Sequence, residues 1–462
     1  METIWNARRM LLVLFGLLAG VLANMLVGGF ADVSSERAAA DSEAFVEATH
    51  LPPLLTVAGE QPVLRYDVYC DSQDPPGEDG CAASGSVFVR AGDRGPFQEV
   101  PLVRDANAGA GRYCANVPAD IARSRDGFSY YAVIRSLASN ATATTPAAGA
   151  SAPERSLPLG RPVEVRLGAH TFGAVATASA RVAEAAWGDG PGDAGLEQGR
   201  NQSPIGGSSF DVSSGGEVTV LDEAHRRVLR YRPGASRAPA RIPVAINGTI
   251  ADLAVADDGS AYVLETTAEP DRAPVVRKFT SDGRAAGATS TAGRGTSQLR
   301  SGAAGPVALD DTTSVWMPVF DAGAQLSPDA QRRRARPGRP LPGGDEVVVL
   351  RTANEVRAAL VGPKGVRKSW RVTSETPIAE VQLAEPFANR LMLVVRAYTD
   401  SRAEFVALAL GPRGIEQRRS LDAADWAETA PVSRFRLVGS SLYRLGSTPA
   451  GLFVDRFDLE VR

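Results

Sequence analysis

Two stretches in the C-terminal part of the chain repeat one plan, and this repeat limits the fold more than any other feature. Residues 209–222 and 251–265 each read as an alternating strand, a tight turn containing glycine, and a second strand that ends in a carboxylate. A further strand follows each of them, at 227–231 and 275–279. The offset of about 43 residues is typical of one four-stranded blade. The sequence therefore predicts a β-propeller over residues 161–462.

The repeat also resembles a known family. Val220-Leu221-Asp222, Arg227-Val228 and Tyr231 follow the order found in NHL-type β-propellers, and Trp187–Gly192 matches the lead-in of that repeat. The resemblance is good for the first two repeats and degenerate after them. It implies a propeller fold and, by analogy, a binding role, and it transfers no catalytic residue to this chain.

The number of blades follows from further strand starts along the chain. Pro306–Leu309, Glu346–Leu350, Ala379–Leu383 and Arg434–Val438 give six blades, with Val163–Leu167 available to close the ring. Closure matters because an open array leaves two unpaired strand edges. Seven blades is the alternative that the length allows.

The N-terminus predicts the compartment. Met10–Phe30 contains no charged residue, and as a helix it would be about 31 Å long, enough to cross the hydrocarbon core of a bilayer. Arg8 and Arg9 precede it, so residues 1–30 are expected to be a signal anchor with the rest of the chain exported from the cytoplasm. A cleaved signal peptide, leaving a secreted protein, is the alternative. Residues 31–53 are expected to form a juxtamembrane spacer.

Short alternating strands separated by turn-forming residues occupy residues 54–138, which predicts a small β-sandwich. The segment Asp126–Tyr131 resembles the last strands of bacterial immunoglobulin-like and fibronectin type III-like modules. Residues 139–160 contain mainly Ala, Ser, Thr and Pro, and this composition predicts an extended linker. The whole chain is thus expected to be all-β apart from its N-terminal transmembrane helix.

Cysteine usage agrees with an oxidising compartment. Cys70 and Cys81 flank a loop rich in turn formers, so a disulfide between them would tie two strand ends together. Cys114 is left over, and pairings of Cys114 with either of the other two remain open. No redox motif is present.

Few residues of the chain are candidates for catalysis or metal binding. The chain has three histidines, His50, His170 and His225, and none lies in a zinc motif. His50 falls in the predicted spacer and His225 in a turn. No catalytic residue, metal ligand or cofactor is predicted.

One constellation could still bind a metal. Asp222 and Glu265 end equivalent strands, with Asp310 and Asp311 as near-equivalents, and carboxylates from successive blades can converge in a central channel. The structural alternative is that Asp222 accepts hydrogen bonds from turn amides and pairs with Arg227 of its own blade. The sequence favours this alternative.

Charge limits the partners. The chain carries 50 Lys and Arg against 53 Asp and Glu, which argues against nucleic acid because phosphate recognition needs a concentrated basic surface. The basic stretch Gln331–Arg339 is expected to be a solvated loop, with a patch for acidic polymers or lipid headgroups as the alternative.

These observations favour an extracytoplasmic, membrane-anchored binding or scaffold protein over an enzyme. The membrane is contacted through residues 10–30, and the loop face of the propeller is expected to engage a protein or an envelope glycan. The alternative is a propeller hydrolase or lyase that uses a metal in its central channel.

Overall fold

The computed structural model divides the chain into two compact units, Met1–Phe45 and Val46–Arg462. The predicted signal anchor lies outside the described residues, and no helix within them is long and apolar enough to cross a membrane. The described residues are 45–57, 60–70, 81–105, 111–199, 203–207, 209–234, 240–245, 249–266, 272–302, 304–311, 314–341, 343–427 and 434–460.

The first part of the larger unit is a β-sandwich. Its two sheets alternate apolar and polar residues and enclose one core that includes Tyr66, Val87 and Tyr130. The disulfide Cys70–Cys81 is formed, as predicted, and Cys114 is not disulfide-bonded. One sheet has the order β1 (Val46–His50), β3 (Val63–Cys70), β7 (Arg112–Asn116) and β6 (Val103–Arg104). The other has the order β2 (Leu55–Thr56), β10 (Glu154–Pro158), β8 (Phe128–Ser136), β4 (Ala83–Ala91) and β5 (Gln98–Pro101), with β9 (Thr142–Thr145) paired to β8.

The sandwich is longer at both ends than the sequence predicted. The expected spacer at 31–53 contains β1, which pairs with β3 and buries His50. The linker predicted at 139–160 is wrong, because β9 and β10 both pair with β8. The segment has few bulky side chains, but its backbone groups satisfy their hydrogen bonds in the sheet, which the composition does not report. Two short helices, α1 (Ala119–Ala122) and a 3-10 turn (Gly149–Ser151), complete this part.

The second part contains six sheets of three or more strands among the described residues, an arrangement consistent with a β-propeller. We number them in chain order of their strands from β13 onward; two earlier strands, β11 and β12, join sheets 4 and 6. Sheet 1 contains β13 (Ser209–Val212), β14 (Val218–Asp222), β15 (Arg227–Tyr231) and β16 (Ala240–Pro243). Sheet 2 contains β17 (Thr249–Val255), β18 (Ala261–Thr266), β19 (Val275–Phe279) and β20 (Ala285–Ser290). Sheet 3 contains β21 (Thr296–Arg300), β22 (Val307–Asp310) and β23 (Val315–Pro318), and the hairpin of β24 (Phe320–Asp321) and β25 (Ala324–Gln325) follows it.

Helix α2 (Pro328–Arg333) leads into the remaining sheets. Sheet 4 is β26 (Arg339–Pro340), β27 (Glu346–Arg351), β28 (Glu355–Gly362), β29 (Gly365–Thr373) and β11 (Val163–Arg166); sheet 5 is β30 (Ile378–Phe387), β31 (Arg390–Tyr398), β32 (Ala403–Gly411) and β33 (Gly414–Asp422); sheet 6 is β34 (Phe435–Val438), β35 (Ser441–Thr448), β36 (Gly451–Asp458) and β12 (Ala180–Ala186).

The chain closes on itself through β12, which supplies the last strand of sheet 6 by pairing antiparallel with β36. Ala183 and Ala185 of β12 are buried in the core that sheets 6 and 1 share. Val163–Leu167, which the sequence offered for closure, instead places β11 parallel to β29 on the edge of sheet 4. Closure by an early strand removes the free edge that an open array would leave.

Neighbouring sheets share apolar cores at five boundaries: sheets 1 and 2, 2 and 3, 4 and 5, 5 and 6, and 6 and 1. Sheet 4 is different, because one of its faces packs against the sandwich. Val348 and Ala359 of that face pack with four sandwich leucines. The leucines are Leu54, Leu55, Leu157 and Leu159.

Polar contacts reinforce this boundary. Arg357 of β28 donates to the carbonyl oxygen of Leu55 at 2.9 Å and to the Glu60 carboxylate at 2.7 Å. The Ser369 hydroxyl of β29 donates to the carbonyl oxygen of Leu159 at 2.5 Å. Backbone oxygens of the sandwich therefore have partners on sheet 4, as buried carbonyl groups require.

Replacing Leu55 by alanine tests the contribution of this boundary. Leu55 is fully buried, so Leu55→Ala should lower the free energy of unfolding by about 2–4 kcal/mol, measured by urea denaturation. Leu51→Ala is the matched control, because Leu51 is 69% exposed. Equal losses for the two variants would contradict the proposed role of the boundary.

Candidate functional site

The carboxylates that the sequence singled out lie in the second strand of their sheets. Asp222 accepts hydrogen bonds from Arg227 Nε at 2.7 Å and from the amide of Gly195 at 3.0 Å, and it contacts His225 Nδ1 at 2.9 Å. This is the structural arrangement that the sequence favoured for Asp222. Glu265 likewise pairs with Arg277 of its own sheet at 2.8 Å.

Asp310 and Asp311 lie at the end of β22. Asp310 is buried and lines a cavity described below, whereas Asp311 borders a separate cavity of about 590 Å³ that His50 and Tyr66 also line. Burial raises the pKa of Asp311. The four sequence-predicted carboxylates are thus divided among several environments. No group of three potential metal ligands occurs in the part of the chain that the structure describes.

The first strands of the sheets carry a buried ion-pair network that the sequence analysis did not identify. Arg300 of β21 donates to Asp252 of β17 at 2.7 Å, and Arg436 of β34 lies 3.2 Å from Asp211 of β13 and 3.6 Å from Asp252. Burial opposes ionisation of Asp252, but the two guanidinium groups outweigh it and hold its pKa below the usual value. Among the contacts of the described residues, these pairs join two acids and two bases. The signal that could have indicated it is a charged residue within an otherwise apolar first strand.

The three histidines have structural partners. His170 Nε2 lies 2.8 Å from a Glu404 carboxylate oxygen, and His225 lies beside Asp222 as described. His50 is in strand β1, not in a spacer, where its Nδ1 contacts the carbonyl oxygen of Arg65 at 2.6 Å and its Nε2 contacts the Tyr130 hydroxyl at 2.7 Å. Burial lowers the pKa of His50 to about 4, so its imidazole is neutral near pH 7. A neutral ring that donates through Nδ1 accepts the Tyr130 proton at Nε2.

A cavity of about 450 Å³ lies where the sandwich meets sheet 3, and we call it the junction cavity. Glu154 of β10 and Asp310 of β22 line it, and each is about 5% exposed. Burial, together with the charge of Asp310, raises the pKa of Glu154 to about 8. Small and apolar residues, among them Pro146, Ala148 and Met317, form much of the remaining wall. The composition of the predicted linker gave no signal for this site.

The basic stretch at 331–339 also borders this region but is largely neutralised. Gln331 is fully buried, and Arg339 is buried and paired with Glu385, so the expected solvated loop is incorrect for both residues. Three further arginines of the stretch also pair with carboxylates. The pairs are Arg332–Asp329, Arg334–Asp321 and Arg336–Glu346.

Comparisons with known proteins add little. No protein-family model matches the chain, and no curated protein matches it. Among solved structures, streptogramin B lyase aligns at 10% identity over 58% of this chain and 88% of its own, with a TM-score of 0.31. YCF48 bound to a D1 peptide aligns at 11% identity over 60% and 98%, with a TM-score of 0.29. A protein of unknown function from Bacteroides caccae aligns at 12% identity over 49% and 92%, with a TM-score of 0.33. These scores are too low to carry an argument, so the assignment of the fold rests on the sheets themselves.

The ion-pair network of the first strands should be essential for stability. Asp252→Asn leaves Arg300 and Arg436 buried with less compensating charge, which should cost about 3–5 kcal/mol in urea unfolding. Asp458→Asn, which affects a pair with Arg456 at the surface, should cost far less. Similar losses for both variants would show that the buried network does not stabilise the fold.

The pKa of Glu154 predicts a pH-dependent stability. Between its ordinary value of 4.5 and its folded value of about 8, the folded state retains a proton that the unfolded state loses, so stability falls as pH rises through this window. Glu154→Gln stays neutral. The free energy of unfolding of Glu154→Gln should therefore equal that of the parent near pH 4. Near pH 9 it should exceed that of the parent by up to about 4 kcal/mol, measured by urea denaturation. A constant difference across the pH range would contradict the assignment. Glu47→Gln, at an exposed position of β1, is the control.

Proposed function

We propose that this chain is an extracytoplasmic, membrane-anchored binding protein that engages a protein or an envelope glycan at the loop face of its propeller. The loop face is the face at which β14, β18 and β22 end. The observation that carries the proposal is the junction cavity, which opens where β22 ends at Asp310 and which the sandwich completes with Glu154. Concave sites between packed domains are common places for ligand recognition.

The compartment is proposed from sequence and supported by the disulfide. Met10–Phe30 is apolar, and Arg8 and Arg9 precede it, which favours a retained anchor with an exported C-terminal region. The Cys70–Cys81 disulfide is typical of an oxidising environment.

The fold is proposed to be a six-bladed propeller of NHL type that follows an immunoglobulin- or fibronectin type III-like sandwich. Six sheets and a closing strand, β12, support six blades over seven. In this arrangement the sandwich packs on one face of sheet 4 through the edge that β2 and β10 form. A neighbouring blade would cover a blade face in a comparable way. Domain boundaries follow from the strands: the sandwich extends to β10 and the propeller begins with β11.

The carboxylates that best supported the enzyme alternative are engaged in ion pairs. A metal-dependent hydrolase or lyase needs carboxylates that are available in the channel, whereas Asp222 and Glu265 are engaged by Arg227 and Arg277. The paired state of these carboxylates favours the binding role.

Crosslinking tests compartment and site together. A membrane-impermeant crosslinker applied to spheroplasts that carry the tagged 462-residue chain should capture a stoichiometric protein or glycan. Ala148→Trp should reduce this capture at least tenfold, because Ala148 lines the junction cavity and is exposed enough for a larger side chain to occupy it. Ala285→Trp, at an exposed position on β20, should leave capture unchanged.

The outcomes separate the parts of the proposal. No labelling of the chain by the impermeant reagent would overturn the extracytoplasmic location. Labelling without a captured partner would overturn the binding role, and capture that Ala148→Trp does not affect would exclude the junction cavity as the contact site.

A further inference from the structure

The wall of the junction cavity contains more basic than acidic side chains. Five arginines and three acids of the described residues line it. Two of the arginines belong to the sandwich, and three belong to α2 and the residues that follow it. The arginines are Arg90, Arg155, Arg332, Arg333 and Arg336, and the acids are Asp93, Glu154 and Asp310. A concave site with an excess of bases attracts an anion.

The three acids do not neutralise the five arginines. Asp93 pairs with Arg155 at 2.7 Å, which accounts for one of the bases. Asp310 is engaged in an interaction of its own. Burial and the charge of Asp310 raise the pKa of Glu154 to about 8, so the Glu154 carboxyl group keeps its proton at pH 7. Glu154 therefore adds no negative charge to the cavity at that pH.

Two arginines of the wall have no carboxylate partner among the described residues. Arg333 forms neither an ion pair nor a hydrogen bond with these residues, whereas Arg332 and Arg336 on either side of it each pair with a carboxylate. Arg90 lies over the Phe97 ring, with its guanidinium carbon 4.3 Å from the ring centroid, and it forms no ion pair. A guanidinium group carries five N–H donors in a fork that matches a carboxylate. One arginine of each wall is thus left to bind a ligand.

The carboxyl group of Glu154 is a second group of the wall without a partner. It is buried, it lines the cavity, and it forms no hydrogen bond or ion pair with any residue that the structure describes. A protonated carboxyl group donates one hydrogen bond, and a buried donor without an acceptor is unfavourable. An anionic oxygen in the cavity would accept this hydrogen bond. The ligand group that suits the arginines therefore suits Glu154 as well.

The remainder of the wall selects the kind of molecule that carries the anion. It consists mainly of alanines and prolines together with Val315 and Met317, and Ser151 supplies the one side-chain hydroxyl among the described lining residues. A sugar on such a wall would leave most of its hydroxyl groups without partners, which is unfavourable. Aliphatic side chains of a peptide pack on it without this cost. The volume of about 450 Å³ accommodates a few peptide residues, not a folded domain.

We propose that the junction cavity binds an acidic peptide segment of a partner protein, whose carboxylates contact Arg333 and Arg90 while its aliphatic side chains pack on the apolar wall. The inference rests on the binding role proposed above and specifies the ligand. Clusters of arginine are a recurring means of recognising acidic peptide motifs. An acidic envelope glycan is the alternative that the experiment separates from a peptide.

The test compares probes that differ in charge or in skeleton. Calorimetry at pH 7 and low salt uses the 462-residue chain in non-ionic detergent. The acidic peptide acetyl-Glu-Val-Glu-amide is compared with acetyl-Gln-Val-Gln-amide, which has nearly the same shape and no charge. A trisaccharide of galacturonic acid represents the acidic glycan. The acidic peptide should bind at least about tenfold more tightly than either of the other probes.

Variants at two neighbouring arginines place the binding in the cavity. Arg333→Gln should weaken binding of the acidic peptide about tenfold, because it removes a charged donor from the wall. Arg334→Gln is the matched control, since Arg334 is also exposed but does not line the cavity, and it should leave binding unchanged. Arg333→Lys keeps the charge and should lose less affinity than Arg333→Gln. Both positions are exposed, so urea denaturation should show nearly the free energy of unfolding of the parent for all three variants.

The inference is overturned by any of four results: the acidic peptide does not bind, the uncharged peptide binds equally, the galacturonic acid trisaccharide binds more tightly, or Arg333→Gln and Arg334→Gln have equal effects. Each result is distinguishable from failure of the proposed function, because capture of a partner in spheroplasts is measured separately. Capture that depends on Ala148 without binding of the acidic peptide would retain the binding role and exclude this ligand class.

Discussion

The packing of four sandwich leucines against sheet 4 is the contact on which the rest of the structure depends. Val348 and Ala359 face these leucines, while the opposite face of the same sheet packs against sheet 5. Arg357 adds directional bonds to Leu55 and Glu60 across the boundary. Apolar area gives this contact its strength and the guanidinium group fixes its register, so the sandwich is held as a part of the ring. Strand β10 carries both Leu157, which takes part in this contact, and Glu154, which lines the junction cavity.

Buried carboxylates have different surroundings at the centre of the ring and at its junction with the sandwich. At the centre, Asp252 lies between Arg300 and Arg436, so this buried carboxylate has two opposite charges close to it. Such a network stabilises one arrangement of the first strands and offers little to a ligand. At the junction, burial and the charge of Asp310 raise the pKa of Glu154, and the contacts of the described residues include no ion pair of Glu154. The binding role that we propose therefore uses the junction and not the axis of the ring.

The sequence predicted those features that local pattern determines. Alternation and the offset of about 43 residues identified the strands of sheets 1 and 2, and turn-rich residues between Cys70 and Cys81 identified the disulfide. The partner of Asp222 was also expected, since Arg227 follows within the same hairpin. Features that depend on distant pairing were missed. Residues 139–160 are too poor in bulky side chains to predict strands, yet β9 and β10 form because β8 offers them an edge. The closing strand β12 depends equally on β36, some 270 residues later in the chain, and local pattern cannot specify such a partner.

The strongest reason to regard the junction as a site is that Glu154 departs from what this protein does with its other buried acids. Besides Glu154 and Asp310, which both line the junction cavity, six carboxylates are buried in the described part of the chain, and each forms an ion pair with an arginine or a histidine. They are Asp211, Asp222, Asp252, Glu265, Glu404 and Asp455. The chain has 47 arginines, and several border the same cavity, so a partner for Glu154 would require only a small change of sequence. A carboxyl group that stays unpaired under these conditions weakens the folded state at neutral and higher pH. A stability cost that ligand binding would relieve is a common property of binding sites, and it is more consistent with recognition than with a structural role for Glu154.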